Sequence, residues 1–190
     1  MNHTLSSITI FLLILTLQAC TLFSTKEQEI IEYDGPYFHS RAFFEAEIER
    51  VKAASYHFRK QVELNENREE KTLDSLNIEQ ELAVFIKNDI NRPAFDGRYQ
   101  VDSVYNEAQK LSEVHYMALD DKLAVKNLKL QFENASLSRI ELQTSSASRL
   151  LKANSTAIYE PQKGYQVENY QKITFLGEQN MKIAVDYVVR

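Results

Sequence analysis

Met181-Lys182-Ile183-Ala184-Val185-Asp186-Tyr187-Val188-Val189 is the stretch that decides how this chain folds. Met181, Ile183, Val185, Tyr187 and Val189 recur at every second position. A period of two is that of a strand with one face toward a core, because successive side chains leave a strand on opposite sides. A helix would scatter the same five residues around its circumference. The end of the chain is therefore read as a β-strand.

Working back from it, the same rhythm returns between short turn-forming clusters. Gly177-Glu178-Gln179-Asn180 reads as a turn, and residues 166–175 as a strand with Ile173 and Phe175 in phase. Pro161-Gln162-Lys163-Gly164 reads as a turn by composition, and residues 148–159 as the strand before it. Ser145, Ser146 and Ser148 are read as an exposed loop or edge. Ile140 and Leu142 follow the turn Glu133-Asn134-Ala135-Ser136. Leu123 and Val125 share one parity while Leu128, Leu130 and Phe132 hold the other. Such a switch is what a β-bulge at Lys126-Asn127 produces. Asp120-Asp121 reads as a turn after Val114-His115-Tyr116, and Tyr99, Val101, Ser103 and Tyr105 open the series.

Before Pro93 the pattern is mixed. Phe44, Ile48, Val51 and Ser55 lie four, three and four apart, one face of an amphipathic helix. Ser40 is the expected N-cap, and Glu45, Glu47 and Glu49 fall on exposed or first-turn positions. From Tyr56 to Leu64 the period shortens to two. That favours a hairpin turning at Asn65-Glu66-Asn67 and returning over residues 68–74. A helix running on from 40 to 64 is the competing reading, since Phe58 and Val62 fit both periods. Asn77 caps a second helix, with Gln80 at the capping-box position. Its apolar face is Ile78, Leu82, Phe85, Ile86 and Ile90, and Asn91-Arg92-Pro93 stops it.

Strands at this spacing with short connections imply an antiparallel meander. Two helices cannot cover it if it is flat. The expected fold is α+β, with a strongly curved, half-barrel-like sheet of six to eight strands packed on two N-terminal helices. The domain is expected over residues 37–190, with residues 37–92 holding the helices and hairpin and 99–190 the sheet.

The other end of the chain carries a different signal. Ile8-Thr9-Ile10-Phe11-Leu12-Leu13-Ile14-Leu15-Thr16-Leu17 is apolar and uncharged. It is about ten residues long, too short to cross a bilayer and the right length for a signal-peptide core. Leu17-Gln18-Ala19-Cys20 follows it. This arrangement resembles the signal peptide and lipobox of bacterial lipoproteins. The resemblance implies a leader over residues 1–19, acyl chains on Cys20, and a tether over residues 20–36. Thr21 is not Asp, the inner-membrane retention residue of enterobacterial lipoproteins, so the implied address is the outer membrane. The chain as a whole resembles small outer-membrane lipoproteins of Gram-negative bacteria. In element order it also looks like periplasmic half-barrel carriers of lipoproteins and lipids.

Composition narrows the function classes. The net charge of −5 lies wholly beyond residue 19 and disfavours nucleic acid, whose affinity comes from neutralised phosphates. Four glycines are too few and too scattered for a phosphate-cradling loop. Cys20 is the lone cysteine, so no disulfide framework is expected. His39, His57 and His115 are not at metal-ligand spacing. His115 is read as a solvated residue, Asp120 and Asp121 as turn residues, and Asp89 with Asn91 as helix-ending polar groups. No serine has a nucleophile-elbow setting. No cofactor and no catalytic set is therefore expected. The partners expected are the membrane, through the anchor, and an envelope protein; the alternative is a lipophilic ligand held in the concave face of the sheet. Tyr116, Phe132, Tyr159, Phe175 and Tyr187 are the candidates to line such a cavity, although aromatic residues at strand spacing more often fill a core.

Overall fold

The last strand of the chain pairs with the first. The structure, a computed structural model, describes residues 34–189, which fall within one unit, Tyr33–Arg190. Strand β1 (Tyr56–Leu64) lies antiparallel to β9 (Gly177–Val189), from Tyr56 opposite Val189 to Leu64 opposite Met181. On its other side β1 pairs with β2 (Asn67–Leu73). This decides the reading of residues 56–74 in favour of the hairpin. The period alone could not, because the partner that holds Phe58 extended is Tyr187, far along the chain. Asn65 adopts φ 54° at the turn and exchanges hydrogen bonds with Asn180 at the start of β9.

The rest is a meander: β3 (Tyr99–Tyr105), β4 (Leu111–Ala118), β5 (Val125–Glu133), β6 (Ser136–Ala147), β7 (Leu151–Glu160), β8 (Gly164–Ile173) and β9. The sheet order is β2-β1-β9-β8-β7-β6-β5-β4-β3, all antiparallel and not closed into a barrel. It has nine strands, more than the six to eight expected. The register shift between Val125 and Asn127 places the bulge where the parity switch put it. Four strand ends move. Ser145 and Ser146 belong to β6 rather than to a loop, and β7 begins only at Leu151. Strand β8 ends at Ile173, so the turn is Thr174-Phe175-Leu176, with Phe175 at φ 74°, and Gly177 already starts β9. At Gly164 the chains approach so closely that a Cβ would stand 1.9 Å from the Val185 carbonyl oxygen.

Helices α1 (Ser40–Ala53) and α2 (Ile78–Lys87) bury Phe44, Ile48, Val51, Ile78, Leu82 and Phe85. The N-cap of α1 is His39, and Ser40 is buried as its first residue. The side chain of Asn77 accepts the Gln80 N–H at 3.1 Å, as a cap should. Helix α2 stops at Lys87, four residues short of Asn91, where the Asn88 side chain turns back onto the Val84 carbonyl (2.8 Å). The exit is then tied to the entering chain. Asn91 accepts the Tyr37 N–H (3.1 Å) and reaches His39 Nε2 (2.7 Å), while Asp89 accepts the Asn91 N–H. These helix-ending polar groups are buried and paired, which keeps their burial cost low.

The core is a set of rows running across the strands. One passes from Lys60 through Val185, Tyr165, Tyr159, Ile140, Leu130 and Val114 to Ser103, crossing eight strands. Phe44 stacks on Phe85 (4.4 Å, 13°), and Tyr159 meets both edge-on. Nine strands laid flat would span about 38 Å, whereas two packed helices cover about 20 Å. Burial of residues on one face of β1 and from β4 to β9 under two helices requires the sheet to wrap around them, while β3 is buried only at Tyr99.

Candidate functional site

The helix-facing side of the sheet is occupied. Tyr159 is 0 % exposed, and its hydroxyl donates to Glu47 Oε2 (2.5 Å). Arg50 forks onto the same carboxylate (2.9 and 2.8 Å). On α2, Glu81 accepts from Lys60 (2.5 Å) and from the Tyr165 hydroxyl. Burial pushes both tyrosines far above their ordinary range, and the facing carboxylates push them further. Burial also works to raise Glu47, but the hydrogen bonds from Arg50 and Tyr159 with the Arg50 charge outweigh it, so the carboxyl sits below its usual value. The outcome is two neutral phenols donating to two helix carboxylates. These are satisfied buried polar groups that fix helix to sheet. Glu47, expected on an exposed position, is instead turned inward to a strand that no helix periodicity could reveal.

The five aromatic candidates do not converge. Tyr116, Tyr159 and Tyr187 are buried on the helix-facing side, and Phe132 is partly buried against the same core. Phe175 is 96 % exposed at the tip of the β8–β9 turn. Tyr165 belongs with the buried set; its cross-strand neighbours are Tyr159 and Val185. The space a lipophilic ligand would need in the curve of the sheet is taken by Phe44, Leu82, Phe85 and these rings.

On the opposite face the polar ladders are mutually paired. His115 Nε2 lies 2.8 Å from Glu113, which also meets Lys129 (2.9 Å) and Gln131 (2.9 Å). Hydrogen bonds from Gln131, Lys129 and His115 hold the Glu113 carboxyl down at about 2. Asp120 accepts the Lys122 N–H and pairs with Arg98, as a turn residue does. A polar trough of about 480 Å³ runs over β1, β9, β8 and β7, and contains Thr156, Tyr170, Asn180 and the pair Lys182–Glu168 (2.7 Å). Among the described residues no three His, Cys, Asp or Glu side chains gather as a metal would require. No helix there is long and apolar enough to cross a membrane.

What remains open is the periphery. Strand β3 is one edge of the sheet, with the backbone groups of its outer side unpaired by any strand among the described residues. It presents Val101, Val104 (46 % exposed) and Tyr105 (60 %). The β6–β7 and β8–β9 turns lie together, joined by the Thr174 N–H on the Leu150 carbonyl (2.9 Å), and expose Leu150, Phe175 and Leu176. Neither surface was singled out by the sequence. Burial is set by which strands flank β3, and that order is not local information. Cys20 lies outside the described residues. Comparison with protein families, with curated proteins and with solved structures finds no match to this chain.

Proposed function

We propose that this is a lipid-anchored protein of the bacterial outer membrane, acylated at Cys20, that acts as a non-catalytic accessory by docking an extended segment of an envelope protein onto the β3 edge. The lipobox reading supports the address. The observation that carries the docking role is the open edge: β3 offers backbone groups that no described strand pairs, together with exposed Val101, Val104 and Tyr105. Strand addition to such an edge draws affinity from main-chain hydrogen bonds and specificity from alternate side chains. The alternative, a carrier of a lipophilic ligand, needs α1 and α2 to leave the face they fill.

Two measurements test this reading. Intact-mass analysis of protein extracted from membranes should give a chain beginning at an acylated Cys20, and Cys20→Ser should abolish fatty-acid label. An unmodified chain starting at Met1 removes the address. A photocrosslinker at position 104 should capture one envelope protein that a crosslinker at position 70 on β2 does not, and Val101→Lys should erase the adduct. Equal capture at both edges removes the docking role.

A further inference from the structure

The turn at the tip of β8–β9 is built against ordinary turn chemistry. Positive φ in a hairpin turn is the place of Gly or Asn. Here Phe175 takes it at 74°, and is 96 % exposed. A bulky residue in that region is strained, and nothing in the domain packs on the ring to offset the strain. Leu176, 82 % exposed, follows it, and Leu150 at the β6–β7 turn stands beside them. Three large apolar side chains thus cap the end of two neighbouring hairpins, where polar turn residues are the norm.

The charge around this tip is opposite to that of the chain. The protein carries −5, yet the charged residues flanking the tip are Arg149, Lys152 and Lys172 against a single acidic one, Glu178. Lys152 and Lys172 sit directly opposite each other on β7 and β8, an unfavourable cross-strand pair. Glu178 pairs with Lys172 (2.6 Å), whereas Arg149 and Lys152 have no acidic partner among the described residues. Apolar and aromatic side chains rimmed by cations are the composition that seats protein on an anionic bilayer: rings enter the headgroup region while Lys and Arg meet lipid phosphates.

We infer that Phe175, Leu176 and Leu150 dip into the headgroup region of an anionic membrane, with Arg149 and Lys152 on its phosphates, so that the domain has a second attachment besides its acyl chains. The choice of bilayer as the occupant rests on the anchor proposed above. Residues 21–36 reach at most about 55 Å, so an acylated Cys20 would keep the domain beside the bilayer that holds it. A weak insertion of this kind is consequential only beside an anchor, which turns it into an intramolecular event.

The chain has no tryptophan, so one indole reports one place. Full-length protein carrying Phe175→Trp is compared with protein carrying Tyr105→Trp on the β3 edge, each with Cys20 and with Cys20→Ser. With vesicles of phosphatidylglycerol and phosphatidylethanolamine, emission from position 175 should shift to the blue. Brominated lipids should quench it, while position 105 keeps its aqueous emission. Arg149→Glu with Lys152→Glu should abolish the shift. The inference is overturned if position 175 stays aqueous, if both positions are quenched alike, or if the shift arises from protein concentration without vesicles, which would mean that a second copy covers the tip. Intact mass of the same material reports acylation separately, so loss of the anchor and failure of the tip are told apart.

Discussion

The two edges of the sheet are made of different material. β2 reads Asn67-Arg68-Glu69-Glu70-Lys71, exposed throughout, with loose ion pairs between Arg68 and Glu70 (4.0 Å) and Lys71 and Glu69 (3.4 Å). Such pairs add little stability. Their effect is to make strand addition costly, because an incoming strand must strip water from them. β3 has one acidic residue, Asp102, among Tyr99-Gln100-Val101-Asp102-Ser103-Val104-Tyr105, and a register shift only at its last pair. An unguarded edge is an aggregation hazard unless something covers it. One sheet with one guarded edge and one open edge has a direction in which it can be extended, and β3 marks it.

The most severe way to break this asymmetry is to detach the guarded edge. Within the sheet β2 pairs only with β1, and β1 joins the meander through β9. β9 is seated on β8 by the tight approach at Gly164, where φ is 139° and an added Cβ would meet the Val185 oxygen at 1.9 Å. Gly164→Ala should therefore cost about 3 kcal/mol or more, from a clash against backbone joined to a strained φ. Urea denaturation followed by circular dichroism checks it. A change within about 0.5 kcal/mol, as for an ordinary surface site, would show that β8 and β9 do not meet as described.

That seam also shows how far the sequence could be read. Alternation in residues 181–189 named β9 because one face of it turns to the core, where Val185 and Tyr187 are buried. It named the β5 bulge because a parity switch is local. It favoured the hairpin for residues 56–74 without fixing it, since Phe58 and Val62 fit both periods and their place is made by pairing with β9. Glu47 was placed outside because helix periodicity knows nothing of Tyr159 across the core. Ser40 looks like a cap by residue type, yet it is buried, and His39 stands at the N-cap. Phe175 kept phase with Ile173 and so looked like strand; an aromatic residue at positive φ carries no turn signal. Of the candidate surfaces, only Cys20 was legible as a motif. The open edge and the apolar tip exist only once strand order and turn geometry are fixed.

Alkali should loosen the β3 side by a middling amount. Burial, aided by Tyr37, pushes Tyr99 up to about 12, against about 10 for a free phenol. Tyr99 roots β3: its N–H donates to the Tyr37 hydroxyl and its own hydroxyl to the Val125 carbonyl (3.3 Å). Tyr159, Tyr165 and Tyr187 are raised too, burial being the largest cause in each. A raised folded pKa means the folded state holds its proton longer. That stability is complete below about pH 10 and is lost as pH climbs through the folded value. Stability should be level between neutrality and about pH 10 and fall steeply toward pH 12, with the phenolate absorbance of these four buried tyrosines appearing together with unfolding, after that of exposed ones such as Tyr105. Phenolate appearing in full near pH 10 with the fold intact would show that these hydroxyls are not buried.

Exchanging the character of the edges should change stability least and behaviour most. Val104→Lys places a charge on β3 where the side chain is already half exposed. Glu70→Val removes one from β2, where the side chain is exposed. Each should alter folding stability by no more than about 0.5 kcal/mol, the usual range for surface sites. The β3 substitution should reduce both partner capture and any concentration-dependent association. The β2 substitution should create a second adhesive edge and raise light scattering on concentration. The two together should move association from one side of the sheet to the other, which crosslinkers at positions 102 and 68 can locate. If scattering and capture are the same for all four proteins, the charges on β2 are ordinary solvated residues and the openness of β3 has no consequence.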